Sequence, residues 1–550
     1  MRTNWLLLCC LAMTVATSQD QKLPFARTAK PFLWEASTVY FIVTDRFANG
    51  NKNNDHTFNR NTATGPLRGF EGGDLRGVIQ KIDDGYFDKL GVNVLWMTPI
   101  VEQIHGGVDE GTGFTYGFHG YWTRDWTALD PSVGTEKDLA ELVQKAHKHG
   151  IRIMLDAVIN HTGPVTPEDP AYPSDWVRTS PKCTYDSYEH YITCTLVENL
   201  PDVKTESNQE VALPPFLVEK WKKEGRYEQE VKELDAFFKS QQLPRYPRHY
   251  IMKWLADYIR DYGIDGYRVD TAKHTYENVW AEFKKVCQQT FNEAKKATPN
   301  KFLPDASFFM VGEVYGYNII NKWHYDFGDN KVNYFDNGFD GLINFGFPNY
   351  AKTDFETLFS NYSTILQQDI KGKTVMNYIS SHDDGNPYDK KREQPFESAE
   401  KLLLAPGMAQ MYYGDETARS LDIAGTQGDA TLRSKMNWDD LATNQATKDV
   451  WEHWRKLSQF RKRHFAVGAG VHQLLQAEPY TFARTYQTAK QTDRVVVGLH
   501  HAKGKKTILV KGIFPDGSTL KDAYSGQTAK VVNGNIQLDT PFVDVLLEKN

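Results

Sequence analysis

The stretch GIDGYRVDTAKH (residues 263–274) decides the fold of this chain and raises the question of its function. It begins like a buried strand, yet its last seven residues, 268–274, contain four side chains that can carry a charge: Arg268, Asp270, Lys273 and His274. Charged side chains are rarely buried unless they are paired. A strand that ends in charged residues is typical of a parallel barrel, where the carboxyl ends of the strands form the functional face.

Eight apolar, strand-like runs follow one another along the chain and alternate with amphipathic helical patterns. The runs are TVYFIVTDRF (38–47), GVNVLWMTPI (91–100), IRIMLDAVINH (151–161), GIDGYRVD (263–270), SFFMVGEVY (307–315), GFDGLINFGF (338–347), TVMNYISSHD (374–383) and MAQMYYGDE (408–416). Two of the helical patterns end at a glycine, Gly150 and Gly263. This series predicts an α/β fold, a (β/α)8 TIM barrel with a parallel inner sheet.

The spacing of the runs predicts two further domains. The gap between the third and fourth runs is much longer than one helix needs, and residues 163–247 are expected to form a small inserted domain. From about residue 466 onward, short β runs alternate with turn signals, which predicts a C-terminal antiparallel β-sandwich domain at 466–550. The barrel would then comprise residues 19–162 and 248–465.

The N-terminus is typical of a signal peptide. One arginine precedes an apolar run from Trp5 to Ala16, and small residues before Ser18 form a cleavage pattern. We expect removal of residues 1–18 and a secreted or periplasmic protein. Cys9 and Cys10 leave a lipoprotein as an alternative, but they lie too early, inside the apolar region. No other run reaches the roughly 18 apolar residues of a transmembrane segment.

Composition and cysteines narrow the classes further. A net charge of −6 gives no reason to expect a nucleic acid or an anionic lipid as partner. We also expect the protein to be a monomer. Cys183 and Cys194, in a polar segment, predict a local disulfide in an oxidising compartment. Cys287 shares an apolar helical face and is predicted to be a buried free thiol.

Polar side chains gather where four of the predicted strands end. Because the strands of a closed barrel share one rim, these side chains are expected to converge. They are Asp156, Asn160 and His161 on the third strand, Arg268 and Asp270 on the fourth, Glu313 on the fifth, and His382, Asp383 and Asp384 on the seventh.

The motifs DAVINH, GYRVDTAKH, GEVYG and SSHD, in this order on strands three, four, five and seven, resemble the α-amylase family, glycoside hydrolase family 13. The resemblance covers nearly the whole mature chain. Residues 213–255 further resemble periplasmic-type bacterial α-amylases. The N-terminal extension of the larger members is not recognised, so no carbohydrate-binding module is expected.

The resemblance implies that Asp270 is the nucleophile, Glu313 the general acid/base and Asp383 the carboxylate that stabilises the transition state. Retaining glycosidases place two carboxyls roughly 5–5.5 Å apart for these roles. Arg268 is expected to keep Asp270 ionised through a charge-assisted pair. The apolar run before Glu313 is expected to raise its pKa, as an acid catalyst requires. The alternative for Arg268 and Asp270 is a buried structural ion pair.

The resemblance also implies a set of sugar contacts: His119, Tyr121, Trp122, His161, Arg268, Lys273, His274 and His382. Tyr121 would stack on the sugar at the cleavage point, and two histidines would bind its hydroxyls. Lys273 and His274 would line the leaving-group side and mark enzymes that cut within α-1,4 chains. Satisfied core histidines and a packed aromatic turn are the structural alternatives.

One or two Ca²⁺ sites are implied in the same way. The first would join the barrel to the insertion through Asn160, Asp202 and the carbonyl of His274, an all-oxygen set that suits a hard cation. The second resembles a calcium loop of some relatives, although such residues can also form a turn. Its ligands would be Asn49, Asn51, Asn54, Asp55, Asp74 and the carbonyl of Gly72.

The sequence therefore predicts a secreted retaining hydrolase that cleaves α-1,4 bonds within its α-glucan substrate, starch or maltodextrin. A transglycosylating enzyme and an enzyme active on α-1,6 bonds are alternatives with the same chemistry. An inactive amylase-fold binding subunit is disfavoured, because all three carboxylate positions are filled.

Overall fold

The centre of the molecule is a closed barrel of eight parallel strands. In chain order these are β1 (Thr38–Ile42), β2 (Val94–Met97), β3 (Arg152–Ala157), β4 (Gly266–Val269), β5 (Phe309–Gly312), β6 (Gly341–Asn344), β7 (Thr374–Tyr378) and β8 (Met408–Tyr412). Each strand pairs with its neighbours in sequence, and β8 closes onto β1 with Ala409 opposite Thr38. Every strand lies inside one of the predicted runs, so the TIM barrel is confirmed.

The structure is a computed structural model that describes residues 32–60 and 63–550. The predicted signal peptide (1–18), with Cys9 and Cys10, lies outside the described residues. Within the described ranges, none of the helices combines the length and the apolar character that a membrane crossing requires.

Ten helices are numbered here, of which the fourth and fifth belong to the inserted segment and the others accompany the barrel strands. They are α1 (Leu75–Asp83), α2 (Tyr86–Leu90), α3 (Glu136–Lys148), α4 (Pro215–Lys223), α5 (Tyr227–Gln241), α6 (Pro247–Tyr262), α7 (Glu277–Ala297), α8 (Phe355–Thr364), α9 (Pro395–Leu403) and α10 (Gln445–Arg463). Short helical segments are Thr44–Phe47, Glu189–Ile192, Phe347–Tyr350, Trp438–Thr443 and Phe465–Ala469. Helix α6 ends as predicted, at Gly263, whose φ of 78° lies in the left-handed region that glycine favours.

One β/α unit departs from the expected alternation. Residues 313–340, between β5 and β6, contain no α-helix; they form a 3₁₀ turn, Ile319–Asn321, and a two-stranded hairpin of Tyr325–Asp326 with Lys331–Val332. The segment is rich in Asn, Asp and Gly, which favour turns over helices. A long loop without an α-helix therefore follows β5 at the rim of the barrel.

The segment between β3 and α6 contains the predicted disulfide, Cys183–Cys194, which is confirmed. Helices α4 and α5 and a small antiparallel pair, Val177–Arg178 with Asp202–Val203, make up its regular structure. Trp176 and Trp221 are fully buried and belong to the same apolar cluster as the barrel. Cys287 in α7 is a buried free thiol, as predicted.

The C-terminal part is antiparallel β structure, as predicted. Its strands are β9 (Val471–Gln476), β10 (Thr481–Gln487), β11 (Thr492–Gly498), β12 (Gly504–Leu509), β13 (Thr519–Asp522), β14 (Thr528–Lys530), β15 (Asn535–Thr540) and β16 (Val545–Lys549). One sheet has the order β9-β10-β11-β16-β13-β14, and β12 pairs with β15 in a second. Apolar residues of both sheets, among them Val496, Ile508 and Ile536, enclose a separate core.

Candidate active site

The strand register brings the predicted polar residues to one rim. Arg268 on β4 lies opposite Asp156 on β3, and the same ladder continues past the strands. The backbone N–H of Asp270 donates to the carbonyl of Ala157 at 3.0 Å, and that of Glu313 donates to Val269 at 2.9 Å. Asp270 and Glu313 are therefore fixed by backbone hydrogen bonds at the carboxyl ends of neighbouring strands.

One guanidinium connects three carboxylates at this rim. Arg268, 1% exposed, places Nη1 2.6 Å from Asp270 Oδ1 and 2.9 Å from Asp156 Oδ1, while Nη2 lies 3.0 Å from Glu313 Oε2. Glu313 Oε2 also accepts from the backbone N–H of Thr271 at 2.7 Å. The predicted contact between Arg268 and Asp270 is present, and it belongs to a larger network.

Three buried acids facing one cation cannot all be ionised without cost. Burial raises the pKa of Glu313 well above its ordinary value, and the nearby charges of Asp270 and Asp383 add to this rise, while Arg268 opposes it. Burial likewise raises the pKa of Asp156 to about 7, against the opposing effect of Arg268. Glu313 and Asp156 are therefore the acids of this group that tend to keep their protons.

Asp383 lies in a different setting, with its side chain 32% exposed. Its Oδ1 accepts a hydrogen bond from Ser381 Oγ at 2.9 Å. Burial alone would raise the pKa of Asp383, but His382, Arg268 and Arg433 more than offset it and the pKa is lowered. Because burial lowers the pKa of His382 itself to about 4, the two arginines are the cations that keep Asp383 ionised near neutral pH.

Tyr121 links the histidines to the acid network. Its hydroxyl donates to Asp156 Oδ2 at 2.9 Å, and its ring stacks on His382 with centroids 5.2 Å apart. His161 Nε2 lies 3.1 Å from the carbonyl of Tyr121, and the backbone N–H of Tyr121 donates to His119 Nδ1 at 3.1 Å. Burial lowers the pKa of all three histidines, so they are neutral hydrogen-bonding groups near neutral pH.

Trp122 is the predicted site residue that lies apart from the carboxylates. It is 7% exposed and packs in a small apolar cluster with Ile104 and Leu200. Its ring meets His119 edge-on at 4.7 Å. Through this contact Trp122 packs against the ring of His119, which accepts from the backbone N–H of Tyr121.

Lys273 and His274 face a group of tyrosines. Lys273 Nζ donates to the carbonyl of Tyr315 at 3.1 Å and lies 5.0 Å from the ring centroid of Tyr191. His274 Nδ1 donates to the carbonyl of Tyr191 at 2.9 Å. Burial lowers the pKa of Lys273 to about 8. The pair thus joins β4 to the inserted segment on one side and to the loop after β5 on the other.

The first predicted metal site comes together in part. The backbone N–H of Val203 donates to the carbonyl of Asn160 at 2.7 Å, which places Asp202 beside Asn160. Arg178 Nε lies 2.9 Å from Asp202 Oδ2, whereas Asp202 Oδ1 is buried with no well-formed hydrogen bond among the described residues. The side chain of Asn160 also interacts with Asp202, and a buried carboxylate oxygen that lacks a well-formed hydrogen bond suits a cation, so Asn160 and Asp202 fit Ca²⁺.

Residues of the second predicted metal site lie close together, although both oxygens of Asp74 already accept backbone hydrogen bonds. Asn49 Nδ2 donates to Asp55 Oδ1 at 2.8 Å, and a Cβ at Gly72 would lie only 2.4 Å from Asn49 Nδ2. Asn54 Oδ1 is buried without a partner among the described residues. Asp74 is the N-cap of α1 and accepts from Gly77 at 2.7 Å. Asn51 accepts from Asn53, as in a turn, but the free oxygen of Asn54 beside Asp55 fits a hard cation.

Several site residues were not singled out from the sequence. Asp156 was noted only as a strand end, although its place as the next-to-last residue of β3, opposite Arg268, is the signal that could have identified it. Arg433 donates to the carbonyl of His382 at 2.8 Å from a segment after β8 that has no motif. Tyr191 and Tyr315 come from loops, where spacing in the sequence gives no indication of contact.

Known proteins resemble this chain both in sequence and in fold. The model of the alpha amylase catalytic domain matches residues 41–444. The periplasmic alpha-amylase of Escherichia coli (strain K12) is 36% identical over 516 residues, covering 84% of this chain and 72% of that protein. A cyclomaltodextrinase from a Bacillus species is 26% identical, covering 87% of this chain and 75% of that protein.

The solved structure of the alpha-amylase from Geobacillus thermoleovorans, in complex with acarbose, has the same fold, with a TM-score of 0.65 at 22% identity, covering 94% of this chain and 99% of that one. The family model spans the whole barrel except the start of β1 and α10, and the Escherichia coli relative extends the likeness over most of the chain. With the barrel, its rim of acids and these matches in agreement, the chain belongs to the α-amylase family and is a glycoside hydrolase.

Proposed function

We propose that this protein is a retaining α-glucan hydrolase that cleaves α-1,4 bonds within starch and maltodextrin chains. The observation that carries the proposal is the sharing of one guanidinium by Asp270 and Glu313, through different nitrogens of Arg268. This arrangement holds the two carboxyl groups on the same side of one pocket while keeping their environments different. Two carboxyls in unlike environments are what double displacement requires.

The roles of the two acids follow from those environments. Asp270, held by Arg268 at 2.6 Å, attacks the anomeric carbon and forms a covalent bond to the sugar. Glu313, whose pKa burial raises, gives its proton to the oxygen of the departing chain. As a carboxylate it then takes a proton from water, whose oxygen displaces Asp270 from the anomeric carbon.

The remaining groups suit an oxocarbenium-like transition state. Asp383 stays ionised and partly open to the groove, so its charge can stabilise positive charge that develops on the sugar. His161 and His382 are neutral and can bind hydroxyls without adding charge. Tyr121 offers its ring as a stacking face beside them.

Cleavage within chains is supported by Lys273 and His274. They lie between the inserted segment and the loop after β5, where Tyr315 is 50% exposed and can stack on a further sugar unit. A further sugar contact on this side would suit chains that extend past the cleavage point. The α-1,4 preference rests on the family resemblance of this Lys-His pair.

Calcium and secretion complete the proposal. Asn160, Asp202 and His274 would hold one Ca²⁺ between barrel and insertion, and Asn54, Asp55 and their neighbours a second; bound calcium would neutralise these oxygens and fix the loops. Chelation with EDTA should then lower the melting temperature. Secretion is supported by the signal-like residues 1–18, and the Escherichia coli relative is a periplasmic alpha-amylase. A mature protein that begins at Gln19 would bear this out.

The experiment that tests the proposal follows fresh product from amylose by NMR and its chain length over time. We expect the α anomer first and a spread of intermediate lengths, because attack within chains yields fragments of many sizes. Initial β product would refute double displacement. Products longer than a maltoheptaose substrate would favour transglycosylation, and cleavage of pullulan at α-1,6 bonds would favour debranching.

A further inference from the structure

A second cluster of metal-ligating side chains lies where the barrel helices meet the C-terminal sheets. Glu400 is on α9, His453 is on α10 and Asp544 immediately precedes β16. One ligand atom from each lies within 4.8 Å of the others. Within residues 32–60 and 63–550, this is the one group of three or more His, Cys, Asp or Glu side chains that meets that distance. None of the three takes part in the active site.

The cluster is buried and its acids lack a strong cation. Glu400, His453 and Asp544 are 3%, 2% and 2% exposed. Among the described residues, no lysine or arginine nitrogen lies within 4.0 Å of either carboxylate; only histidines do. Two buried acids side by side would be stabilised by a cation between them.

The ring of His453 lies between the two carboxylates, with Nε2 3.8 Å from Glu400 Oε1 and Nδ1 4.0 Å from Asp544 Oδ2, and an ion bound at Nδ1 would displace the Tyr524 hydroxyl. Its Nε2 lies 3.1 Å from the carbonyl of Phe396, and because a carbonyl can only accept, Nε2 carries the proton. Nδ1 therefore keeps its lone pair, which accepts from the Tyr524 hydroxyl at 2.7 Å and lies 4.0 Å from Asp544 Oδ2. Metal-bound histidines commonly donate the other ring N–H to a backbone carbonyl in this way.

A fourth donor and an entry route are present. His500, in the loop after β11, places Nε2 2.9 Å from Glu400 Oε2 and has a half-exposed ring. A cavity of about 540 Å³ adjoins the cluster and is lined by Phe396, Glu400, His453, His500, Tyr524 and Asp544, among others. A hydrated ion can therefore reach the buried groups from solvent past His500.

We propose that Glu400, His453, His500 and Asp544 bind one divalent transition-metal ion, best matched by Zn²⁺, between the barrel and the C-terminal domain. Two imidazoles and two carboxylates suit zinc, whereas Ca²⁺ takes oxygen ligands throughout. Zinc bonds of about 2.0–2.2 Å place tetrahedral ligand atoms about 3.3 Å apart, so the ligand atoms of Glu400, His453 and Asp544, which lie within 4.8 Å of one another, would move closer together, and His500 would join them through its contact with Glu400. The ion would tie α9 and α10 to the C-terminal sheets.

The test is a titration of the full-length mature protein with Zn²⁺ in the presence of saturating Ca²⁺, which fills oxygen-only sites beforehand. Competition with a chromophoric chelator gives the stoichiometry and Kd. We expect one equivalent of zinc, with Kd raised at least about tenfold by His500→Gln and by Asp544→Asn. Both substitutions nearly preserve shape, and circular dichroism without zinc checks that each variant is folded.

His472→Gln provides the matched control. His472 also joins the C-terminal sheet to a barrel helix, with Nε2 2.9 Å from Glu356 Oε2, but without a second carboxylate beside it. Its loss should leave zinc binding unchanged. The proposal is overturned if no zinc binds, if stoichiometry and Kd are the same in wild type, His500→Gln and Asp544→Asn, or if His472→Gln weakens binding as much as these two. Because the readout is metal binding, the outcome is independent of the proposed hydrolase activity.

Discussion

Arg268 is the residue whose contacts define the site. Its two terminal nitrogens serve Asp156, Asp270 and Glu313 at once, and each contact is between 2.6 and 3.0 Å. Only a planar, forked cation can do this; an ammonium group is a single point of charge. The position of the two catalytic candidates relative to one another therefore depends on the guanidinium, and not on charge alone.

Arg268→Lys tests that dependence. The lysine keeps the charge but cannot hold both Asp270 and Glu313, so we expect kcat on maltoheptaose to fall by about 100-fold or more, as small misplacements of reacting groups do. Arg392→Lys is the control, because Arg392 contacts Asp415 at 2.7 Å, also buried, but outside the site. Wild-type turnover in a folded Arg268→Lys variant would show that charge alone is enough.

The raised pKa of Glu313 predicts the alkaline limb of the pH profile. Glu313 must be protonated to act as an acid, so kcat/KM should fall only as pH rises through its raised pKa, well above the ordinary glutamate value of 4.5. Asp383→Asn removes a charge that raises this pKa, and the limb of its residual activity should move to lower pH. A wild-type kcat/KM that already falls as pH rises through about 4.3, close to the ordinary pKa of a glutamate, would contradict the assignment of Glu313 as the acid.

The acids of the site could be predicted at this scale, but their electrostatics could not. Asp270 and Glu313 directly follow β4 and β5, Asp383 lies in the loop after β7, and all three belong to motifs on strands whose ends the barrel brings together. Asp156 was not assigned a role from the sequence, because it acts on the site through its contact with Arg268 on the neighbouring strand. The ionisation of Asp383 likewise depends on Arg433, which comes from a segment far along the chain.

At the scale of elements, the inserted segment reaches the site through its disulfide loop. Tyr191 lies between Cys183 and Cys194, and its carbonyl accepts from His274 Nδ1 at 2.9 Å. The disulfide therefore restrains the loop that contacts the proposed leaving-group side. Restraint of a short loop acts mainly by limiting the unfolded chain.

The double variant Cys183→Ser/Cys194→Ser should lose about 2–4 kcal/mol of folding free energy and show a raised KM with a smaller change in kcat. The measurements are the melting temperature and steady-state kinetics on maltoheptaose. Thiol reductant should reproduce the effect in wild type and leave the double variant unchanged, since Cys287 is buried. A reductant response in the double variant would place the sensitivity elsewhere.

The prediction of strands from the sequence failed where burial leaves no apolar pattern along the chain. The eight barrel strands are buried on both faces and read as continuous apolar runs, which made them easy to recognise. Strand β9 is mostly exposed and β14 has only three residues, so neither forms an apolar run. The segment between β5 and β6 lost its expected helix to Asn, Asp and Gly, a local preference that the repeating pattern concealed.

At the scale of the whole molecule, the C-terminal domain faces two cores with alternate residues of the same strands. Val495 and Val497 of β11 belong to the apolar cluster of the barrel, whereas Val496 between them belongs to the core of the sandwich. Leu546 and Leu547 of β16 divide in the same way. Side chains in a strand point alternately to its two faces, so one sheet closes both cores.

Because strands β11 and β16 contribute to both apolar cores, we expect the barrel and the C-terminal domain to unfold together. Arg484 of β10 strengthens the junction, because its Nη1 donates to the carbonyl of Leu404 in the barrel at 2.5 Å. Scanning calorimetry of the mature protein should therefore show one transition with equal calorimetric and van't Hoff enthalpies. Two separated transitions would mean that the domains are energetically independent.

The most direct test of the central claim is to trap the sugar on the enzyme. Incubation with a fluorinated α-glucosyl fluoride that forms the intermediate faster than it breaks down, followed by proteolysis and mass spectrometry, identifies the residue that attacks. We expect a single glycosyl adduct on the peptide that contains Asp270, and no adduct in the Asp270→Asn variant. An adduct on Glu313, Asp383 or any other residue, or turnover with inversion and no adduct, would contradict it.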